Sequence, residues 1–327
     1  IFAYISYRML RNILPCLLSF VLLLASCKKG STDDSPTQTD SLGTGWSKVD
    51  IGKEIFFIDI FFTGNTGFGT NEYDIFRSID GGDSRNMAHH TNLGITNIAM
   101  GNTNNAVFVS AQGGKIYYTN NGGESFDSTK VDDSGIYDAY FVSENIAYAL
   151  GDNIWKTIDA GHSWDLVHAF SSPSSSYKTL FFTNEMNGWA NAGSGLFKTV
   201  DGGITWEKNT SGFFSGVIGA IFFNDADNGY ISNKNNILKT EDGGASWKII
   251  FTDPEDITID IHFVTKEIGY INSIKSIYKT TDGGKNWTRE VKLGGSGRSP
   301  QFVELHFTNA SHGWASGLIG NILKYTR

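Results

Sequence analysis

The chain has 327 residues, a formal net charge of −8 and 40% hydrophobic residues, which is enough apolar content for a large folded core. An acidic chain without a basic stripe repels phosphate backbones, so we expect no nucleic acid among its partners. Cys16 and Cys27 are the only cysteines, and this number excludes a disulfide-rich fold.

The N-terminal region has the pattern of a secretory leader. A basic start at residues 9–12 precedes the apolar run 13–24, which is short for a membrane span. The segment ending at Cys27 resembles the bacterial lipobox, which implies that Cys27 is lipidated and becomes the mature N-terminus. Lys28 after it resembles the signal for outer-membrane delivery. We therefore predict a lipoprotein signal peptide over residues 1–27 and a location in the bacterial cell envelope; an ordinary signal peptide with a chance cysteine is the alternative.

Residues 28–44 form a polar segment that is rich in Ser, Thr and Asp. Such a composition buries too little apolar surface to fold, so we predict a flexible tether. Contact with the membrane is then expected through the lipid anchor only.

A short phrase recurs along the rest of the chain about every 40 residues. Its clearest copies are KTIDAGHSW at 156–164, KTVDGGITW at 198–206, KTEDGGASW at 239–247 and KTTDGGKNW at 279–287, and weaker copies lie at 77–85 and 118–126. We call each copy a box. The acidic or amide residues of the boxes are Asp80, Asn121, Asp159, Asp201, Asp242 and Asp282. A repeat of this length predicts a solenoid, a propeller or an array.

Each repeat contains short strand-like runs separated by turns, and no helical periodicity occurs after the leader. Four such runs per repeat are typical of a propeller blade. The chain end 321–327 matches the strand before a box, and residues 45–48 match the strand that follows one. We therefore predict an all-β domain over 45–327, a seven-bladed β-propeller with four-stranded blades whose last blade is closed by the N-terminal strand.

The chemistry of the box favours a turn over a ligand site. Paired glycines accept backbone angles that a Cβ would forbid, and an Asp carboxylate accepts hydrogen bonds from nearby backbone N–H groups. Four boxes end in a tryptophan that supplies apolar surface between blades, namely Trp164, Trp206, Trp247 and Trp287. Because these residues recur from blade to blade, we interpret them as structural rather than as calcium loops or catalytic carboxylates.

The box at this spacing resembles the Asp-box (BNR) repeat. The chain is most similar to the photosystem II stability and assembly factor-like propellers, which also occur in bacteria that have no photosystem. This resemblance implies a non-enzymatic protein-binding or assembly-assisting scaffold without a cofactor, with a protein client or another envelope component as its partner. The same repeat serves sialidases, xyloglucanases and sortilin-type receptors, so a glycan-binding protein or a glycoside hydrolase is the alternative.

A sialidase-like enzyme, by resemblance, needs three arginines that clamp the substrate carboxylate and an early Arg-Ile-Pro phrase. No such phrase occurs, and the arginines after the leader are Arg77, Arg85, Arg289, Arg298 and Arg327. All but Arg298 flank boxes or end the chain, away from the expected substrate mouth. A xyloglucanase-like hydrolase needs two carboxylates that face a cleft, and nothing in the sequence pairs two convincingly. The interpretation leans against an enzyme and leaves the question open.

Polar residues recur at one position of the first predicted strand of the blades. They are Asp59, Asn97, Asp138, Asp260 and Glu304, while Thr179 and Ala220 take this position in the two other blades. In propellers this strand lines the central channel and starts at the face opposite the boxes. We hypothesise that these side chains ring one channel mouth and attract cations or a basic segment of a partner. The alternative is that they only mark where each strand leaves solvent.

Two blades repeat a carboxylate-x-His phrase, Asp260 with His262 and Glu304 with His306. Residues two apart on a strand point to the same side, so two imidazoles and two carboxylates could converge on a divalent transition metal. Other blades carry Phe, Tyr or Ala at the histidine position, which favours packing histidines instead.

Overall fold

Short antiparallel strands account for the regular secondary structure in the described part of the chain. The computed structural model describes residues 40–49, 57–170, 178–192, 195–209, 218–293, 302–317 and 322–327. The predicted signal peptide, Cys27, the tether residues 28–39 and Arg298 lie outside these ranges. Within the ranges, no helix has the length and hydropathy that a membrane span requires.

The strands form seven antiparallel sheets, which we number as blades 1 to 7 along the chain. Blade 1 contains β3 (Asp59–Thr63), β4 (Thr66–Thr70), β5 (Asp74–Ser78) and β6 (Asn86–His90). Blade 2 contains β7 (Ile95–Met100), β8 (Ala106–Ser110), β9 (Lys115–Thr119) and β10 (Asp127–Lys130). Blade 3 contains β11 (Asp138–Phe141), β12 (Ala147–Leu150), β13 (Asn153–Thr157) and β14 (Asp165–Ala169). Blade 4 contains β15 (Lys178–Phe182), β16 (Gly188–Ala192), β17 (Leu196–Thr199) and β18 (Glu207–Lys208).

The remaining blades follow the same plan, with strands from the N-terminal side added to the last two. Blade 5 contains β19 (Ile218–Phe223), β20 (Gly229–Asn233), β21 (Asn236–Thr240) and β22 (Lys248–Thr252). Blade 6 contains β23 (Thr258–Phe263), β24 (Gly269–Ser273), β25 (Ser276–Thr280), β26 (Thr288–Lys292) and the short β1 (Ser41–Leu42). Blade 7 contains β27 (Phe302–Asn309), β28 (His312–Gly317), β29 (Ile322–Thr326) and β2 (Trp46–Val49).

The first strand of each blade lies on the inside of a closed ring. Each of these strands contacts that of the next blade, and β27 of blade 7 contacts β3 of blade 1. The other strands of each blade follow outward, and the boxes lie between the third and fourth strands. The seven-bladed β-propeller predicted from the repeat is confirmed.

Blade 7 takes its outer strand from the N-terminal side of the domain. β2 pairs antiparallel with β29, with Trp46 opposite Tyr325. The Trp46 ring packs edge-on against Phe307 at 6.0 Å between centroids, and its Nε1–H donates to Glu290 of blade 6 at 3.0 Å. The predicted closure by the N-terminal strand is therefore confirmed, and it joins blade 7 to blade 6 as well.

The ordered structure starts earlier than the predicted tether boundary. Residues 41–42, which composition assigned to the segment 28–44, form β1 and pair antiparallel with β26, with Ser41 opposite Lys292 and Leu42 opposite Val291. The boundary differs because an open sheet edge pairs with any main chain and needs no apolar pattern in the added strand. Blade 6 therefore has five strands.

A stacked aromatic pair holds most blade interfaces together. In blade 4 the ring of Phe182 lies against Gly188, where an added Cβ would come within 2.4 Å of the ring. The same ring stacks on Tyr148 of blade 3 at 4.2 Å between centroids and 13° between planes. The glycine therefore makes room for the phenyl ring. The equivalent glycine, phenylalanine and preceding-blade aromatic are Gly229, Phe223 and Trp189; Gly269, Phe263 and Tyr230; Gly313, Phe307 and Tyr270; and Gly67, Phe62 and Trp314.

The preceding-blade aromatic also reaches the next box. Tyr148 is fully buried, and its hydroxyl donates to the Gly202 carbonyl in the box of blade 4 at 2.6 Å. The ammonium group of Lys156, which begins the box of blade 3, lies 5.1 Å from the centroid of the Tyr148 ring. The aromatic pair thus connects the core of one interface to the turn of the next blade.

We expect Gly229→Ala to lower the free energy of unfolding by about 1–3 kcal/mol, because overpacking forces the Phe223 ring off its stack with Trp189. The added Cβ would lie 2.3 Å from that ring. Urea denaturation followed by tryptophan fluorescence measures the change. As a control, Ala147→Gly at the equivalent position of blade 3 should cost only about 0.5–1 kcal/mol, the usual penalty for glycine in a strand. Equal effects of the two substitutions would contradict the packing argument.

Candidate functional site

The box carboxylates close their own turns. In blade 4 the backbone at Gly202 and Gly203 has φ values of 73° and 82°. The Thr199 hydroxyl donates to Asp201 at 2.8 Å and accepts the Gly203 N–H at 2.9 Å. The backbone N–H and the hydroxyl of Thr205 donate to the two oxygens of Asp201 at 2.9 and 2.5 Å. Both oxygens of the carboxylate therefore accept hydrogen bonds within the turn.

Other boxes repeat this network with small changes. Ser84, Ser163, Ser246 and Asn286 take the place of Thr205 and donate to Asp80, Asp159, Asp242 and Asp282. In blade 2, Asn121 Oδ1 accepts the Ser125 N–H at 3.0 Å, and its Nδ2 donates to the Ser125 hydroxyl at 2.8 Å. An amide can therefore replace the carboxylate in this turn.

The box tryptophans are tied to the same turns. The indole N–H of Trp206 donates to the Gly203 carbonyl at 3.2 Å. Trp164, Trp247 and Trp287 donate to the equivalent glycine at 3.1, 3.0 and 3.2 Å. Trp206 and Trp247 are buried, whereas Trp164 and Trp287 are half-buried at the blade edge. All four side chains pack in blade interfaces.

Hydrogen bonds to the ionised form lower the pKa of the box carboxyl groups. The bond from the Ser84 hydroxyl, followed by that from its N–H, lowers the pKa of Asp80 from 3.8 to about 2. The equivalent bonds from Thr205, Ser246 and Asn286 lower the pKa of Asp201, Asp242 and Asp282 to about 2 as well. The turns are therefore stabilised by the charged carboxylate.

We expect acid to weaken the fold through these groups. Because the folded pKa lies below the ordinary 3.8, their contribution is present above that pH and is lost as the pH falls towards about 2. The triple variant Asp80→Asn/Asp201→Asn/Asp242→Asn should fold, as Asn121 indicates, and should show a shallower loss of stability over this range. Urea denaturation at a series of pH values measures both slopes. Identical slopes would refute this assignment.

The polar residues predicted to ring a channel mouth are mostly buried between blades. Asp59, Asn97, Asp138 and Asp260 are 2%, 7%, 6% and 6% exposed, and Glu304 is half-buried. Each of the first four accepts a backbone N–H from the first strand of the next blade. The bonds join Asp59 to Ile98, Asn97 to Ala139, Asp138 to Leu180 and Asp260 to Leu305, at 2.8, 3.0, 2.8 and 3.3 Å.

These bonds give the inner ring a structural use for its acidic residues. A carboxylate that accepts a buried N–H keeps further lone pairs, so a bound cation would share these side chains with the backbone of the next blade. That these side chains mark where each strand leaves solvent stays the alternative, and the four bonds add a contact with the next blade. Attraction of a cation or a basic segment stays a hypothesis.

We expect Asp138→Ala to lower the free energy of unfolding by about 1–3 kcal/mol, because it leaves the buried Leu180 N–H without its acceptor. Asp138→Asn should cost much less, since Asn97 makes the same bond in blade 2. Chemical denaturation compares the two variants, and a similar cost for both would argue against the inter-blade bond. A cation site would reveal itself as calcium binding, measured by titration calorimetry, that the Asn variant loses.

The quartet Asp260, His262, Glu304 and His306 does not assemble as a metal site. Among the described residues, no group of three or more His, Cys, Asp or Glu side chains is placed to hold a metal ion. The His306 Nε2–H donates to the Phe62 carbonyl at 2.7 Å, and its ring lies 6.1 Å from that of His262. Burial, and then the charge of His262, lowers the pKa of His306 to about 3. Both imidazoles therefore pack and bond within the fold.

A belt of rings on the inner strands was not predicted. It runs from Tyr140 through Phe181, Phe222, His262 and His306 to Phe61, with centroids of neighbouring rings 5.2, 5.1, 5.5, 6.1 and 4.3 Å apart. Ala99 occupies this position in blade 2. The signal was visible in the aligned strands, where this position is aromatic or histidine in six blades, but only the ring shows that the side chains meet.

No protein-family model matches the sequence, and no curated protein matches it significantly. Among solved structures, it is similar to YCF48 from Cyanidioschyzon merolae, with a TM-score of 0.72 and 18% identity over 86% of this chain and 99% of that chain. YCF48 bound to a D1 peptide gives a TM-score of 0.71 and 16% identity over 86% and 97%.

Two enzymes share the fold at similar scores. The GH74 enzyme of Niastella koreensis gives a TM-score of 0.70 and 14% identity over 85% of this chain but only 53% of that chain. A catalytically inactive virginiamycin B lyase from Staphylococcus aureus, solved with quinupristin, gives a TM-score of 0.71 and 12% identity over 86% and 99%. At these identities, the similarities establish the propeller fold and nothing finer.

Proposed function

We propose that this chain is a non-enzymatic scaffold that binds a segment of a protein client, or another envelope component, and assists its assembly. The observation that carries the proposal is the match to YCF48, which covers 97% of the chain that was solved with a D1 peptide. The same propeller covers 53% of the GH74 enzyme. The match therefore spans nearly all of the peptide-bound structure but only about half of the GH74 chain, although it also spans 99% of the lyase chain.

The polar side chains support a binding role at the surface. The box carboxylates accept hydrogen bonds within their turns, and four inner-ring residues accept hydrogen bonds from the next blade. These groups stabilise the fold, so recognition falls to the loops and outer edges of the blades, where main chain and side chains meet solvent.

The proposed location is the bacterial cell envelope, with a lipid on Cys27 and delivery to the outer membrane. Ser41 pairs with Lys292 at the end of β26 that is far from the box, so the chain enters the propeller from the face opposite the boxes. Residues 28–39 can span at most roughly 40 Å when fully extended. A lipid on Cys27 would therefore hold the propeller within about this distance of the membrane, attached on the face opposite the boxes.

A glycan-directed function is the second candidate, and the likeness to the GH74 enzyme favours it. Either a glycan-binding protein or a sialidase-like or xyloglucanase-like hydrolase would fall under this heading. Such an enzyme needs a pair of carboxylates placed on either side of the scissile bond.

Two assays on the purified full-length protein separate the candidates. We expect affinity capture from envelope extracts to enrich a protein client that then binds directly in purified form. Fluorogenic sialosides and β-glucans should not be hydrolysed above the rate of a heat-denatured sample. Turnover of either substrate class, without a client that binds directly, would replace the scaffold proposal with the glycan-directed one.

A further inference from the structure

The outer edge of blade 5 meets the box of blade 6 at an open groove. This groove has a cavity volume of about 650 Å³. One wall consists of residues 246–250, which include the start of β22, together with Lys239 and Glu241. The other wall is the box segment 283–285 of blade 6. We call this site the blade 5/6 groove.

The blade 5/6 groove is basic on an acidic protein. Lys239, Lys248 and Lys285 line it, and Glu241 is the one acidic residue among its lining side chains. Lys239 pairs with Glu241 at 2.7 Å, and this contact, more than the charge of Lys248, holds the pKa of Glu241 below its usual range. Lys248 and Lys285 are exposed, and neither forms an ion pair with any residue that the structure describes. Two positive charges are therefore left for a ligand, while the chain as a whole carries −8.

The same groove offers apolar surface between the lysines. Ile249 is 48% exposed, although it is an isoleucine in a strand. Ile250 beside it is half-buried against the box of blade 6, and Trp247 is 5% exposed beneath them. A ligand held here can bury an apolar side chain while its acidic groups meet the lysines.

The third feature of the groove is an open sheet edge. β22 is the outermost strand of blade 5 and pairs only with β21 among the described residues. The equivalent strand of blade 6, β26, is covered by β1, which adds a fifth strand through Ser41 and Leu42. The molecule itself therefore shows an outer blade edge that accepts an extended segment. Main-chain bonds to such an edge select a peptide over other polyanions.

We propose that the blade 5/6 groove docks an extended peptide segment of a protein partner that carries acidic side chains on either side of an apolar one. Lys248 and Lys285 bind the acidic groups, Ile249 packs against the apolar side chain, and the edge of β22 pairs with the peptide main chain. This assignment rests on the proposed protein-binding function and names the chemistry of the bound segment.

The test is a titration of the purified full-length protein with a labelled peptide of alternating glutamate and valine, followed by fluorescence anisotropy. We expect this peptide to bind, and we expect added salt to weaken the binding because it screens the charges. A peptide with lysine in place of glutamate should not bind. The variant Lys248→Glu/Lys285→Glu should bind the acidic peptide roughly ten-fold more weakly or worse, because like charges then face each other.

A matched control carries the same charge change elsewhere. Lys208→Glu/Lys275→Glu replaces two exposed lysines that do not line the groove, and it should bind the acidic peptide as the wild type does. Ile249→Ser should weaken the binding of the peptide but not the binding of dextran sulfate, a polyanion without apolar side chains. Thermal melting of each variant verifies that these surface changes leave the fold intact.

Three outcomes would overturn the groove assignment. The first is no binding of the acidic peptide by the wild type, and the second is equal affinity of the peptide for the wild type and the groove double variant. The third is that dextran sulfate binds as tightly as the peptide and that Ile249→Ser changes the binding of neither. The last outcome would make the groove a general polyanion site. Direct binding of a captured client to the wild type and to the groove double variant alike would leave the scaffold function standing and place its site elsewhere.

Discussion

A phenyl ring held between a glycine of its own blade and an aromatic ring of the preceding blade is the contact on which this propeller depends. It occurs at five interfaces, including the one between blades 7 and 1 that closes the ring. The other two interfaces lack this stack, and there more than the glycine differs: Met100 takes the place of the phenylalanine in blade 2, and Val107 takes the place of the preceding aromatic for blade 3, where the Phe141 ring lies against Gly101. The stack therefore needs all three residues, the glycine and both rings.

Polar side chains stabilise the propeller at two kinds of place, in the box turns and between the inner strands of neighbouring blades. Near the boxes, a carboxylate joins the two sides of a turn; between the inner strands, Asp59 and its counterparts hold the backbone of the next blade. Carboxylates that look catalytic in a linear sequence therefore accept hydrogen bonds that stabilise the fold, since a buried N–H needs an acceptor. Surface features that differ from blade to blade, such as the basic blade 5/6 groove, are the places where specificity can arise.

Much of the fold was predictable because it is repeated. The boxes, the strands and the use of residues 45–48 to complete blade 7 all follow from local patterns that recur along the chain, and the structure confirms the seven blades and their closure. The pairing of Ser41 and Leu42 with blade 6 was not predictable, because an edge strand bonds through its main chain. The directions taken by Asp138 and His306 were equally hidden, since their partners lie on other blades.

The sequence by itself determined the class, the number and the order of the blades, because turn chemistry and strand periodicity are encoded in residues that are close together in the chain. It also placed the acidic residues on the inner strands. Only the tertiary structure decided that these oxygens face a neighbouring backbone, that the inner rings form a belt, and that lysines from the boxes of two blades share one groove. Each of these depends on contacts between residues about forty positions apart, which form only when neighbouring blades pack against each other.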